Sequence, residues 1–67
     1  MDNPTKLRSA LALAARLNIA VSKPRRTGEV LFAHPVYGRV RHNGRRQDLS
    51  RAARVLFKRA IAAKEVA

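Results

Sequence analysis

The segment Glu29-Val30-Leu31-Phe32-Ala33-His34-Pro35-Val36-Tyr37-Gly38-Arg39-Val40-Arg41-His42-Asn43-Gly44 reads as two strands and two turns. Glu29 to Ala33 is an apolar run of strand length, and His34-Pro35 breaks it, because proline has no N–H to give a ladder. Val36 to His42 is the next strand, with Tyr37 and Gly38 near its entry. Along it, Arg39 and Arg41 point to one side and Val40 to the other, as side chains alternate on a strand. Asn43-Gly44 is a two-residue turn signal, since both positions tolerate positive φ. The following Arg45-Arg46-Gln47 is too polar for a core strand. It forms the outer arm of a short hairpin, or a loop.

Working outward, Ile19 and Val21 alternate with Ala20 and Ser22 as a short first strand, and Pro24 stops it from continuing as a central one. Lys23-Pro24-Arg25-Arg26-Thr27-Gly28 is a basic turn or loop. Further upstream, Asn3-Pro4 has the form of a helix start, a capping side chain followed by proline at the first helical position. Leu7, Ala10, Leu11, Ala14 and Leu17 recur at helical spacing, which predicts a helix from Pro4 to Leu17 ending near Asn18. Downstream, Asp48 or Ser50 caps a last helix with the apolar stripe Ala53, Leu56, Phe57, Ala60 and Ile61. Arg51, Arg54 and Lys58 fall on another face of that helix. The expected fold is α+β: a helix, a two- or three-stranded antiparallel sheet and a helix, in the order αβββα.

At 67 residues the chain holds one domain, residues 1–67, a monomer or a homodimer that shares its core. A chain of this size buries only about 60% of its unfolded surface. Apolar residues make up 46% of it, too many for a disordered basic tail. There is no cysteine, so disulfides and thiolate metal sites are excluded and a cytoplasmic setting is expected. No apolar run approaches the roughly 18 residues of a membrane span. The most apolar stretch, Ala10 to Ala15, lies between Arg8 and Arg16, so no membrane role is expected.

Charge is the strongest functional signal. Fifteen basic residues stand against four acidic ones, a net charge of +11, and eleven of the fifteen are arginine. Four carboxylates cannot neutralise that excess, so most of it faces water or a polyanion. Phosphates are the natural partners: each one neutralised releases counterions, and arginine forks onto phosphate and guanine edges as lysine cannot. Three groups carry the charge. The loop Lys23, Arg25, Arg26 can straddle phosphates, or is a solvated loop. The hairpin region Arg39, Arg41, Arg45, Arg46 can lie along a backbone, or is an exposed sheet face. The helix face Arg51, Arg54, Lys58 can track a backbone, or is an ordinary wet face.

Catalysis has thinner support. His34 and His42 are the only candidates for a general base, and with no cysteine and four scattered carboxylates they make a poor metal set. His34 before Pro35 is most simply a turn residue. There is no phosphate-cradling glycine loop and no nucleophile elbow. No catalytic residue, metal ligand or cofactor is assigned.

A resemblance sharpens this picture. A leading helix ends in Leu17-Asn18-Ile19-Ala20-Val21, and a basic turn leads to Val30-Leu31-Phe32-Ala33-His34-Pro35. A further strand, Gly38-Arg39-Val40-Arg41, runs into His42-Asn43-Gly44, and Asp48-Leu49 opens a helix containing Leu56 and Ala60. From about Leu11 to Ile61 this order resembles the HicA family of small bacterial toxins. They are messenger-RNA interferases with a double-stranded-RNA-binding-like fold. The resemblance implies that fold and an RNA partner. The family places its catalytic histidine after a Gly-Ser pair, and here Thr27-Gly28-Glu29 puts Glu29 in that position. A carboxylate there repels phosphate and does not replace imidazole. The expectation is therefore a small, non-catalytic nucleic-acid-binding protein, DNA or RNA. An HicA-like ribonuclease with a rearranged site and a phage or bacterial module gripping an acidic protein partner are the alternatives.

Overall fold

The two longest strands are joined by three residues, and the rest of the domain is built around that hairpin. The computed structural model describes residues 5–23, 26 and 28–66. The predicted Asn3-Pro4 start and Arg25 lie outside the described residues. The elements are α1 (Leu7–Ala14), β1 (Ala20–Ser22), β2 (Glu29–His34), β3 (Gly38–Asn43) and α2 (Arg51–Val66). The sheet has three strands in the order β1-β2-β3, both pairings antiparallel. The αβββα order is thus as expected, with the full three strands.

His34 pairs with Gly38, so Pro35, Val36 and Tyr37 form the connection. Gly38 has φ +91°, a conformation that glycine reaches without steric cost. His34 Nδ1 accepts the backbone N–H groups of Val36 (3.1 Å) and Tyr37 (3.2 Å), and its ring stacks on Tyr37 at 4.8 Å. β3 therefore starts at Gly38 rather than at Val36, because the imidazole holds the two preceding amides in the turn.

Both helices cover one face of the sheet. Val30 and Phe32 from β2 meet Ala10 and Ala14 of α1, and Ala53, Leu56, Phe57 and Ala60 of α2; all are buried. Phe32 and Phe57 pack edge to face, with centroids 5.3 Å apart, a favoured aromatic geometry. The alanines on the inner stripes keep side chains short where helices approach the sheet.

Helix α1 is shorter than the predicted Pro4–Leu17. At its start, Lys6 is extended and forms an antiparallel bridge with Asp48. Leu7 N–H donates to the Gln47 carbonyl (2.7 Å) and Leu49 N–H to the Thr5 carbonyl (2.6 Å), so the chain before Leu7 pairs with a distant segment, while the Lys6 carbonyl accepts the Ala10 N–H (2.9 Å) as the first bond of the helix. At its end, Asn18 adopts φ 60° and Ile19 N–H reaches back to the Ala14 carbonyl (2.9 Å), the glycine-like stop that asparagine tolerates. Lys64 Nζ of α2 donates to the Arg16 carbonyl (2.8 Å), satisfying one acceptor left open there. Of the two candidate caps for α2, Ser50 serves: its hydroxyl accepts the Ala53 N–H at 3.3 Å. Asp48 lies two residues further from the helix, where its backbone is bridged to Lys6.

The Asn43-Gly44 turn differs from the sequence expectation. Positive φ is found at Gly28, Gly38 and Asn18 among the described residues, and not at Asn43 or Gly44. Asn43 Oδ1 instead accepts the Arg45 N–H (2.9 Å), and Arg46 N–H donates to the Asn43 carbonyl (3.1 Å). An asparagine side chain mimicking a backbone turn makes the bend. Glycine is required at 44 for another reason: a Cβ there would lie 2.5 Å from the Gly28 carbonyl oxygen and 3.1 Å from Val30 Cγ2. Arg45-Arg46-Gln47 is the loop, not a hairpin arm.

Candidate nucleic-acid interface

Pairing of Glu29 with Asn43 brings the β1–β2 loop and the β3–α2 loop to the same end of the sheet, where Gly44 sits against Gly28. Lys23 and Arg26 belong to the first loop, Arg45 and Arg46 to the second, and all four are exposed. The Lys6–Asp48 bridge adds the start of α1 to this end, and with it the exposed cations Lys6 and Arg8. Ser50 caps α2 close by, and Arg51 follows it. Two carboxylates share the region, Glu29 at the head of β2 and Asp48 in the loop. Cations outnumber them severalfold.

Between α1 and the β3–α2 loop lies an open cleft of about 730 Å³. Lys6, Arg8, Arg45 and Arg46 form its rim, and the half-buried Leu7 and Leu11 its floor.

The remaining predicted cations are distributed over two opposite faces. Arg39 and Arg41 are exposed on β3, opposite Ala33 and Leu31, whereas Val40 and His42 turn inward. This alternation is as read from the sequence. The two guanidiniums project from the sheet surface that no helix covers. Arg51, Arg54 and Lys58 are exposed on α2, opposite its buried Ala53, Leu56, Phe57 and Ala60. In a two-layer domain these surfaces face away from each other. One straight duplex cannot lie on both. Arg54 is also partly engaged, its Nε donating to the Leu49 carbonyl at 3.3 Å. The structure thus gathers Lys23, Arg26, Arg45 and Arg46, with Arg51 beside them at the start of α2, leaves Arg39 and Arg41 on an adjoining face, and sets Arg54 and Lys58 further along the helix on the far side. Lys6 and Arg8 were missed by sequence reading, because the bridge that recruits them leaves no periodic signal.

Both histidines are engaged in holding backbone. His34 shapes the β2–β3 turn, at the other end of the sheet. His42 is 1% exposed. Its Nδ1 accepts the Ser50 N–H (3.1 Å), which ties the end of the basic loop to β3. With Nδ1 an acceptor, the neutral ring carries its proton on Nε2, which is buried and has no hydrogen-bond partner. Burial, and after it the positive charge of Arg46, hold the His42 pKa below the ordinary 6.5, against a smaller opposing backbone contact with Arg46. Among the described residues, no three histidine or carboxylate side chains are grouped to hold a metal ion. Among the same residues, no helix is long and apolar enough to cross a membrane. Comparison with protein-family models, curated proteins and solved structures returns no match.

Proposed function

We propose that this chain binds nucleic acid through its basic end, without cleaving it. The observation that carries the reading is the convergence of Lys6, Arg8, Lys23, Arg26, Arg45 and Arg46 from three separate segments onto one end of the sheet. A scattered surface excess would not require such folding. Arg39 and Arg41 extend the same positive surface onto the open face of the sheet. The binding role is favoured over catalysis because each imidazole already accepts a backbone N–H through Nδ1, and His42 is sealed from solvent. The likeness to HicA toxins enters through the shared order of elements, with Glu29 at the head of β2.

The test is a titration of labelled nucleic acid across salt concentrations. Contact with about five phosphates gives a slope of log K against log salt near −4 to −5 on duplex DNA. Replacing Arg45 and Arg46 together with alanine should flatten it by about two units. An affinity that ignores salt would refute the reading.

A further inference from the structure

The rim and floor of the basic cleft differ in chemistry, and the difference says what fits. Four cations, Lys6, Arg8, Arg45 and Arg46, stand around an aliphatic floor of Leu7 and Leu11. A duplex presents stacked bases and a convex row of phosphates. It can meet the rim, but it leaves the floor wet. An unpaired nucleotide offers both halves of the match: a phosphate for the rim and the flat apolar face of a base for the floor. Gln47, exposed at the mouth of the cleft, carries an amide that donates and accepts, as a base edge requires. The cleft volume of about 730 Å³ lies within the range of pockets that hold small ligands.

We infer that this cleft receives a single unpaired nucleotide, from a single strand or an overhang, with its phosphate on the rim and its base on Leu7 and Leu11. The inference rests on the nucleic-acid reading above and narrows it to unpaired strand. An amphipathic acidic peptide is the competing occupant. Charge and dimensions suit it too, but the amide at the mouth and the single small floor favour one base over a run of apolar side chains.

Fluorescence anisotropy at moderate salt separates these cases with four labelled probes: a short single strand, its blunt duplex, the same duplex with a single-stranded overhang, and a peptide of alternating Glu and Leu. DNA and RNA versions of the strands are both run. The single strand and the overhang should bind more tightly than the blunt duplex. Leu11→Gln should weaken them about tenfold while the blunt duplex changes far less, the size expected when a base loses part of an apolar contact surface. Thermal melting by circular dichroism verifies that the variant folds. If it does not fold, the exposed Gln47→Ala variant reads the same preference. Equal binding of blunt duplex and single strand, insensitive to these changes, overturns the cleft assignment and leaves phosphate binding standing. Tighter capture of the peptide than of any strand overturns it in favour of an acidic partner. No binding of any strand at low salt overturns both readings.

Discussion

Gly44→Ala tests the junction on which the basic end depends. The added methyl would sit 2.5 Å from the Gly28 carbonyl oxygen, and that atom belongs to backbone that no rotamer change can move aside. Relief requires the β1–β2 and β3–α2 loops to separate. Overpacking of this kind costs about 1–3 kcal/mol. Gly44 has no positive φ, so alanine also gains up to about 1 kcal/mol by restricting the unfolded chain. Taken at mid-range, the two leave a net loss of about 1–2 kcal/mol. A domain of 67 residues has a total stability of about 3–10 kcal/mol, so the change is a substantial share. Each kilocalorie shifts the melting temperature of a domain this size by about 4–8 °C, which predicts a fall of roughly 5–15 °C. Thermal unfolding by circular dichroism or calorimetry measures it. A melting temperature equal to or above that of the unchanged chain would refute the contact between the loops.

His42 supplies a pH signature. Its folded-state pKa is depressed, so below 6.5 the unfolded chain binds a proton that the folded chain refuses, and stability falls on acidification from neutral pH until the folded pKa is passed. Melting temperatures at pH 7 and 5 should show this slope, and His42→Gln should flatten it; an unchanged slope in that variant would assign the effect elsewhere. Ser50→Ala removes the cap of α2 and should cost about 1 kcal/mol, read as a fall in denaturant midpoint without a change in m. Lys58→Ala, on the far face of α2, should leave nucleic-acid affinity nearly unchanged where Arg45→Ala weakens it; equal losses would mean that charge alone, and not position, governs binding.

The order of elements was legible because the core strands and helices carry period. Val30 and Phe32 on one strand, Arg39 and Arg41 on the next, and Leu56, Phe57 and Ala60 on α2 sit where their spacing predicts. The contacts that make the cleft carry none. Thr5-Lys6 and Gln47-Asp48 are short polar segments with no alternation, and they meet only because the helix and loop around them are already placed. The same cause shortened α1 at its start. Asn43-Gly44 was recognised as a turn but with the wrong geometry, since a glycine needed to avoid a distant carbonyl looks in sequence like one needed for its φ. Nor does a sequence show layers: Arg41 and Lys58 count alike in a charge tally, yet they face opposite ways.

The bridge from Lys6 to Asp48 has a consequence for any measurement on this chain. One wall of the cleft comes from the start of the sequence and the other from its last third, so no single peptide contains the site. Unfolding disperses the arrangement but leaves all fifteen basic residues in place, and a denatured chain still collects phosphates by counterion release. The quantity that belongs to the architecture is therefore a difference, the affinity of the folded domain less that of a shuffled chain of the same composition.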